Sequence, residues 1–183
     1  LGLMPFFSLS QTITVDDTQT VGQLVDGVLI TGDCSETDNI TSPNNSVVGG
    51  KNYDSFGSFD ASNAAFPFDD GLVLTTKEVT GIPDDSGDGG AGGFPPTWTG
   101  DADLEALIQQ PGNTNNATVI EFEFTPYIDE ISFNYLLASM EYDNSFVPYY
   151  CTFADTFAFI LSGPGISDTN AYDHDANPNT PDL

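Results

Sequence analysis

Apolar and polar residues alternate along several short stretches of the chain, and this alternation predicts β-strands. The alternating stretches are residues 12–17, 119–126 and 130–138. Two further stretches, residues 66–76 and 156–165, also have the character of strands, and the first of these predicts a turn at Asp69-Asp70-Gly71 that leads into a strand. The last stretch, TFAFILSGPG, is apolar on both faces, as expected of a central strand.

Two segments change to the spacing of a helix. An apolar stripe at i, i+3, i+4, i+7 and i+8 predicts a first helix; it consists of Val21, Leu24, Val25, Val28 and Leu29. The segment DADLEALIQQPG, residues 101–112, predicts a second helix with acids in its first turn and a Pro-Gly stop.

Short strands, glycine- and proline-rich turns and two short helices predict an all-β fold, an antiparallel β-sandwich of jelly-roll or lectin-like type. We expect residues 1–10 to be the remnant of a signal peptide, because LGLMPFFSLS passes from apolar to small and polar residues. Residues 11–166 form the predicted domain. We expect residues 167–183 to be an acidic loop that is the truncated start of the remaining domain.

The charge of the chain excludes several classes of function. It has 28 Asp and Glu against two Lys, no Arg, and a formal net charge of −26. Nucleic-acid binding requires basic residues that neutralise phosphates, and docking on anionic lipid requires them as well. No stretch has the apolar length of a membrane helix, so no direct membrane insertion is expected. A secreted protein in a salty or calcium-bearing medium fits the charge.

Four segments together resemble the choice-of-anchor L domain family: GDADLEAL, VIEFEFTP, ISFNYLLASMEY and CTFADTFAFILSGPGI. The early GDCSETDNIT and the segment FPFDDGLVLTT are also similar to that family. The resemblance covers about residues 12–166. It implies a secreted or cell-surface β-domain of bacteria and implies no enzymatic activity.

The chain has two cysteines, Cys34 and Cys151. In an exported protein such a pair predicts a disulfide. A zinc site is the alternative, but it needs more ligands, and the single histidine, His174, lies in the C-terminal tail.

Calcium is the expected cofactor, because Ca²⁺ binds carboxylate, amide and carbonyl oxygens on loops. The predicted ligands are Asp101, Asp103, Glu141 and Asp155. The alternatives are helix capping for the first two and a solvated acidic surface for the others.

The connection between the last two predicted strands, residues 138–155, carries acids, aromatics and Cys151. Aromatic residues in proline- or glycine-rich connections suit stacking on a sugar or a protein partner. The predicted ligand-binding residues are Tyr142, Tyr149, Tyr150 and Trp98. The alternative is that these rings cap the open end of the sandwich.

The sequence therefore predicts a non-catalytic extracellular module for adhesion or ligand binding, with a cell-surface glycan or protein as its partner. A structural spacer in a large surface protein is the second interpretation. A glycan-active hydrolase is the third, because Glu121 and Glu123 lie on one face of a strand near the spacing of glycosidase carboxylates.

Overall fold

The computed structural model describes residues 12–32, 35–43, 47–48, 51–52, 54–82, 98–128, 132–139, 155–164 and 170–172. Nine strands are present in this part of the chain: β1 (Thr14–Asp16), β2 (Ser35–Thr41), β3 (Val47–Val48), β4 (Lys51–Asn52), β5 (Phe56–Asp60), β6 (Asp70–Leu74), β7 (Glu121–Pro126), β8 (Phe159–Ile160) and β9 (Asn170–Tyr172). The helical elements are α1 (Val21–Leu24), a π-helical turn (Val25–Leu29), a 3-10 turn (Val79–Gly81) and α2 (Ala102–Leu107).

The chain divides into two compact units. The first comprises residues 1–101 and 114–129, and the second comprises residues 102–113 and 130–183. All the strand pairs are antiparallel: β1-β5-β6, β2-β7 and β3-β4 in the first unit, and β8-β9 in the second. The predicted all-β antiparallel class is therefore confirmed, and the sandwich arrangement stays a prediction.

The first predicted helix is present as α1 followed by the π-helical turn. Its start is set by Thr20, whose side chain accepts a hydrogen bond from the backbone N–H of Gln23 while Gln23 reaches back to the Thr20 backbone. This reciprocal cap satisfies two backbone donors that a helix start otherwise leaves open. The apolar stripe then buries Leu24 and Val25 completely.

The prediction of a turn at Asp69-Asp70-Gly71 is wrong. Strand β6 already begins at Asp70, which lies directly opposite Asp60 of β5. The turn comes earlier, over residues 61–69, and the Ala61 backbone N–H closes it by donating to the Asp69 carbonyl at 2.7 Å. Because Asp70 and Gly71 have ladder partners, they belong to the strand despite their turn-forming composition.

The described residues of the first unit include six buried apolar side chains. Among the described residues, the buried apolar side chains are Leu24, Val25, Ala61, Val79, Trp98 and Ala117. Glycine is required at Gly57 in β5, because a Cβ there would stand 2.5 Å from the Asp16 carbonyl oxygen of the neighbouring strand. The β1-β5 ladder thus depends on backbone contact as well as on buried side chains.

The second predicted helix is confirmed as α2, with Asp103 and Glu105 in its first turn. The predicted strand over 130–138 has no ladder partner among the residues described. In the described part of the predicted strand over 156–165, ladder pairing is limited to β8, which pairs with β9. Contacts between aromatic side chains show how these two segments lie beside each other.

Candidate functional site

Two segments of the second unit, residues 132–139 and 155–161, lie side by side and antiparallel. The Phe133 ring is 4.1 Å from that of Phe159, and the Tyr135 ring is 5.7 Å from that of Phe157, between centroids. Phe157 and Phe159 also touch edge to face at 4.6 Å. We call these four rings the aromatic cluster; Phe133 is 47% and Tyr135 43% exposed.

The two segments are also joined where the predicted binding connection begins and ends. The Ser139 hydroxyl donates to the Asp155 carboxylate at 3.1 Å. The two ring pairs share one antiparallel register, and this hydrogen bond lies two residues away from it, so the connection between the segments starts and finishes at nearly the same point. Its predicted site residues Glu141, Tyr142, Tyr149, Tyr150 and Cys151 lie outside the described residues, as does Cys34. The predicted disulfide stays a prediction.

The predicted calcium ligands are described in part. Asp101 precedes α2, and its backbone N–H donates to the Thr114 hydroxyl at 3.1 Å. Asp103 lies exposed in the first turn of α2, and Asp155 accepts the hydrogen bond from Ser139. Within the described part of the chain, no three acidic, cysteine or histidine residues come together as a metal site. Glu141 lies outside that part, and calcium binding stays a prediction.

Trp98, predicted to bind ligand, is only 5% exposed. Its indole N–H donates to the Ala117 carbonyl at 2.8 Å, and its backbone N–H donates to the Asn116 side-chain oxygen at 2.9 Å. The Asn116 amide nitrogen donates in turn to the Thr76 carbonyl at 2.9 Å. In the structure this ring therefore serves packing inside the first unit and offers no open face.

Around Trp98, residues 98–101 run antiparallel to residues 114–118, an arrangement that we call the Trp98 clip. At Gly100 the two segments are so close that a Cβ would lie 2.0 Å from the Thr114 hydroxyl oxygen. The Thr118 hydroxyl ties the clip to the end of β6 by donating to the Thr75 carbonyl at 2.6 Å. The sequence analysis did not predict the clip. Its local signal is the Asn115-Asn116 pair that follows a loop.

Strand β7 confirms the alternation that predicted it. Glu121 and Glu123 are exposed. On the other face Phe122 and Phe124 are half-buried, and their ring centroids are 6.1 Å apart. Glu123 accepts a hydrogen bond from the Asn39 amide at 2.8 Å and lies directly opposite Asp38 of β2. Among the residues that the structure describes, nothing covers this strand face, and it is open to solvent.

Hydrogen bonds shift the pKa of three titratable groups in the first unit. The hydroxyl of Thr18, with its backbone N–H, lowers the pKa of the Asp16 carboxyl. Ser62 lowers the pKa of Asp60 in the same way. The hydrogen bond from the Tyr127 phenol to Glu36 raises the pKa of that phenol. Each shift follows from a local hydrogen bond at the surface rather than from burial of a charge.

These features define an acidic, antiparallel all-β protein. The chain belongs to the choice-of-anchor L domain family, whose model matches residues 12–177. The family resemblance read from the sequence is thereby confirmed. Separate searches of curated proteins and of solved structures found no significant match.

Family membership indicates a bacterial surface-associated module, secreted or displayed at the cell surface, and the family implies a non-catalytic domain. Among the residues that the structure describes, no helix combines the length and apolarity needed to cross a bilayer.

Proposed function

We propose that this domain is a non-catalytic extracellular module that binds a cell-surface glycan or protein through the connection 138–155. The observation that carries the proposal is the antiparallel placement of the segments on either side of that connection. Loops held by a rigid scaffold are where binding residues gather in extracellular β-domains.

The aromatic cluster supplies the scaffold. Contacts between aromatic rings stabilise by about 0.5–1.5 kcal/mol each beyond the burial of their area. The hydrogen bond from Ser139 to Asp155 then fixes the base of the connection. A connection whose ends are already together loses less entropy when it orders around a ligand.

The residues of the connection decide the class of ligand. Tyr142, Tyr149 and Tyr150 are flat apolar rings with a polar tip, suited to stacking on sugar rings while their hydroxyls form hydrogen bonds. Glu141 and Asp155 supply carboxylates that accept hydrogen bonds from sugar hydroxyls or protein N–H groups. A folded protein that bound neither polysaccharides nor cells would instead be a structural spacer.

The test compares the parent chain with a Tyr149→Ala/Tyr150→Ala variant and a Glu141→Ala variant. Binding is measured to a panel of immobilised polysaccharides and to fixed bacterial cells. Tyr127→Ala is the matched control, since Tyr127 is 58% exposed and lies outside the connection. We expect both connection variants to fold and to lose at least tenfold in affinity, while the control binds like the parent. Unchanged binding by folded connection variants would refute the proposal.

Calcium is proposed as the stabilising cofactor, with Asp101, Asp103, Glu141 and Asp155 as ligands. A cation that binds only the folded state raises the melting temperature with its concentration. We expect chelation to lower that temperature and Ca²⁺ to restore it, whereas Na⁺ at equal ionic strength does not. If Na⁺ restored the melting temperature as well as Ca²⁺ does, the effect would be charge screening and not calcium binding.

A further inference from the structure

Two pairs of carboxylates stand directly opposite each other across strands of the first unit. Asp38 of β2 faces Glu123 of β7, and Asp60 of β5 faces Asp70 of β6. All four residues are exposed. Directly opposed residues of an antiparallel pair point to the same face with Cβ atoms about 4.5–5.5 Å apart, and like charges in this position destabilise the sheet.

The hydrogen bonds that these carboxylates accept come from neutral groups. The Asn39 amide donates to Glu123 at 2.8 Å, and the Ser62 hydroxyl donates to Asp60 at 2.6 Å. Neutral donors orient a carboxylate but leave its charge in place. The chain has two lysines and 28 acids, so its own cations can pair with only a small fraction of them.

We propose that folding of this domain is coupled to the ionic strength of its surroundings through these two in-register carboxylate pairs. Both pairs form only when the strands adopt their native register, so each adds a repulsion that the extended, unfolded chain largely avoids. Dissolved cations screen it without occupying a fixed site.

The repulsion within each pair depends steeply on salt, because the distance over which charges are screened shortens as the salt concentration rises. The Debye length is about 30 Å at 0.01 M salt and about 3 Å at 1 M salt. At the lower concentration each pair therefore repels almost unscreened, and at the higher one a separation of about 5 Å already exceeds the screening length. An exported module with this device is most stable in a saline medium.

The experiment uses two double variants of equal charge. Asp38→Asn/Asp70→Asn removes one member of each pair, and the asparagine at 38 retains a side-chain oxygen to accept from the Asn39 N–H. The control, Glu121→Gln/Asp69→Asn, removes the same two charges at exposed carboxylates that belong to neither pair. Glu121 faces Thr41, a neutral residue.

Thermal unfolding of the full chain is followed at about 0.01 M and about 1 M NaCl. We expect Asp38→Asn/Asp70→Asn to melt roughly 2–4 °C above the control at low salt. At high salt this difference should shrink to within error, and the parent should gain the most from salt. Equal melting temperatures of the two variants at low salt would overturn the role of the pairs, as would a difference that persists at high salt.

Discussion

Replacing Asn116 by alanine is expected to destabilise the first unit strongly. Asn116 has a φ of 55° and is only 9% exposed. Its side chain accepts from the Trp98 backbone N–H and donates to the Thr76 carbonyl, each at 2.9 Å. Alanine removes both hydrogen bonds and must also adopt a left-handed backbone conformation that asparagine tolerates better.

Three contributions set the magnitude. A buried donor left without a partner costs about 1–3 kcal/mol, and this applies to the N–H of Trp98. Loss of the bond to the carbonyl of Thr76, an exposed residue that water can reach, costs about 0.5–1.5 kcal/mol. The left-handed conformation adds about 1 kcal/mol. Together they lower the free energy of unfolding by about 2.5–5.5 kcal/mol.

The assay is urea unfolding followed by fluorescence, because Trp98 is the only tryptophan and lies in the clip itself. Asn116→Gly separates the causes: glycine accepts the backbone conformation, so this variant should lose about 1 kcal/mol less than alanine. Asn115→Ala, one residue earlier and exposed, is the control and should stay within about 0.5 kcal/mol of the parent. An Asn116→Ala variant as stable as that control would refute the clip as a source of stability.

Two further predictions concern a cross-link and acid sensitivity. Cys34 and Cys151 are predicted to be bonded to each other, so thiol labelling of denatured, unreduced protein should find no free thiol; two reactive thiols would contradict the pairing. The pKa of Asp16 and Asp60 is lowered, chiefly by side-chain hydrogen bonds. Their stabilising contribution is therefore complete above the unfolded value of 3.8 and is lost as pH falls through the lower folded value. Replacing the donor Thr18 by valine should raise the pKa of Asp16, as measured by NMR titration, and leave that of Asp60 unchanged; a rise in both would mean that the shifts are not local.

The sequence predicted those elements whose cause is local. The alternation around Phe122 and Phe124 identified β7, and the apolar stripe through Leu24 and Val25 identified the first helix. Thr20 could also have been recognised as its cap, because Thr-x-x-Gln before an apolar run is a capping-box pattern. Local patterns of this kind depend on residues within one or two turns of the chain.

Features that depend on distant partners were not predictable in the same way. Asp70 looks like a turn residue until its partner Asp60 is known. The sequence predicted that Trp98 is a ligand-binding ring in a glycine-rich connection. Its indole N–H instead donates to the carbonyl of Ala117, 19 residues later in the chain. Pairing overrode local composition at both places, because Asp70 gains a ladder partner in the neighbouring strand and Trp98 gains a hydrogen-bonded partner further along the sequence.

Two connections whose bases are described are closed by the same kind of contact. The base of residues 140–154 is joined by Ser139 and Asp155, and the base of residues 102–113 is joined by Asp101 and Thr114. In each case a hydroxyl bonds across the base, so the closure depends on groups outside the connection. A connection closed in this way can change its sequence without loss of that contact. The structure therefore favours variation in the connections, where the proposed binding residues lie, over variation in the segments that hold them.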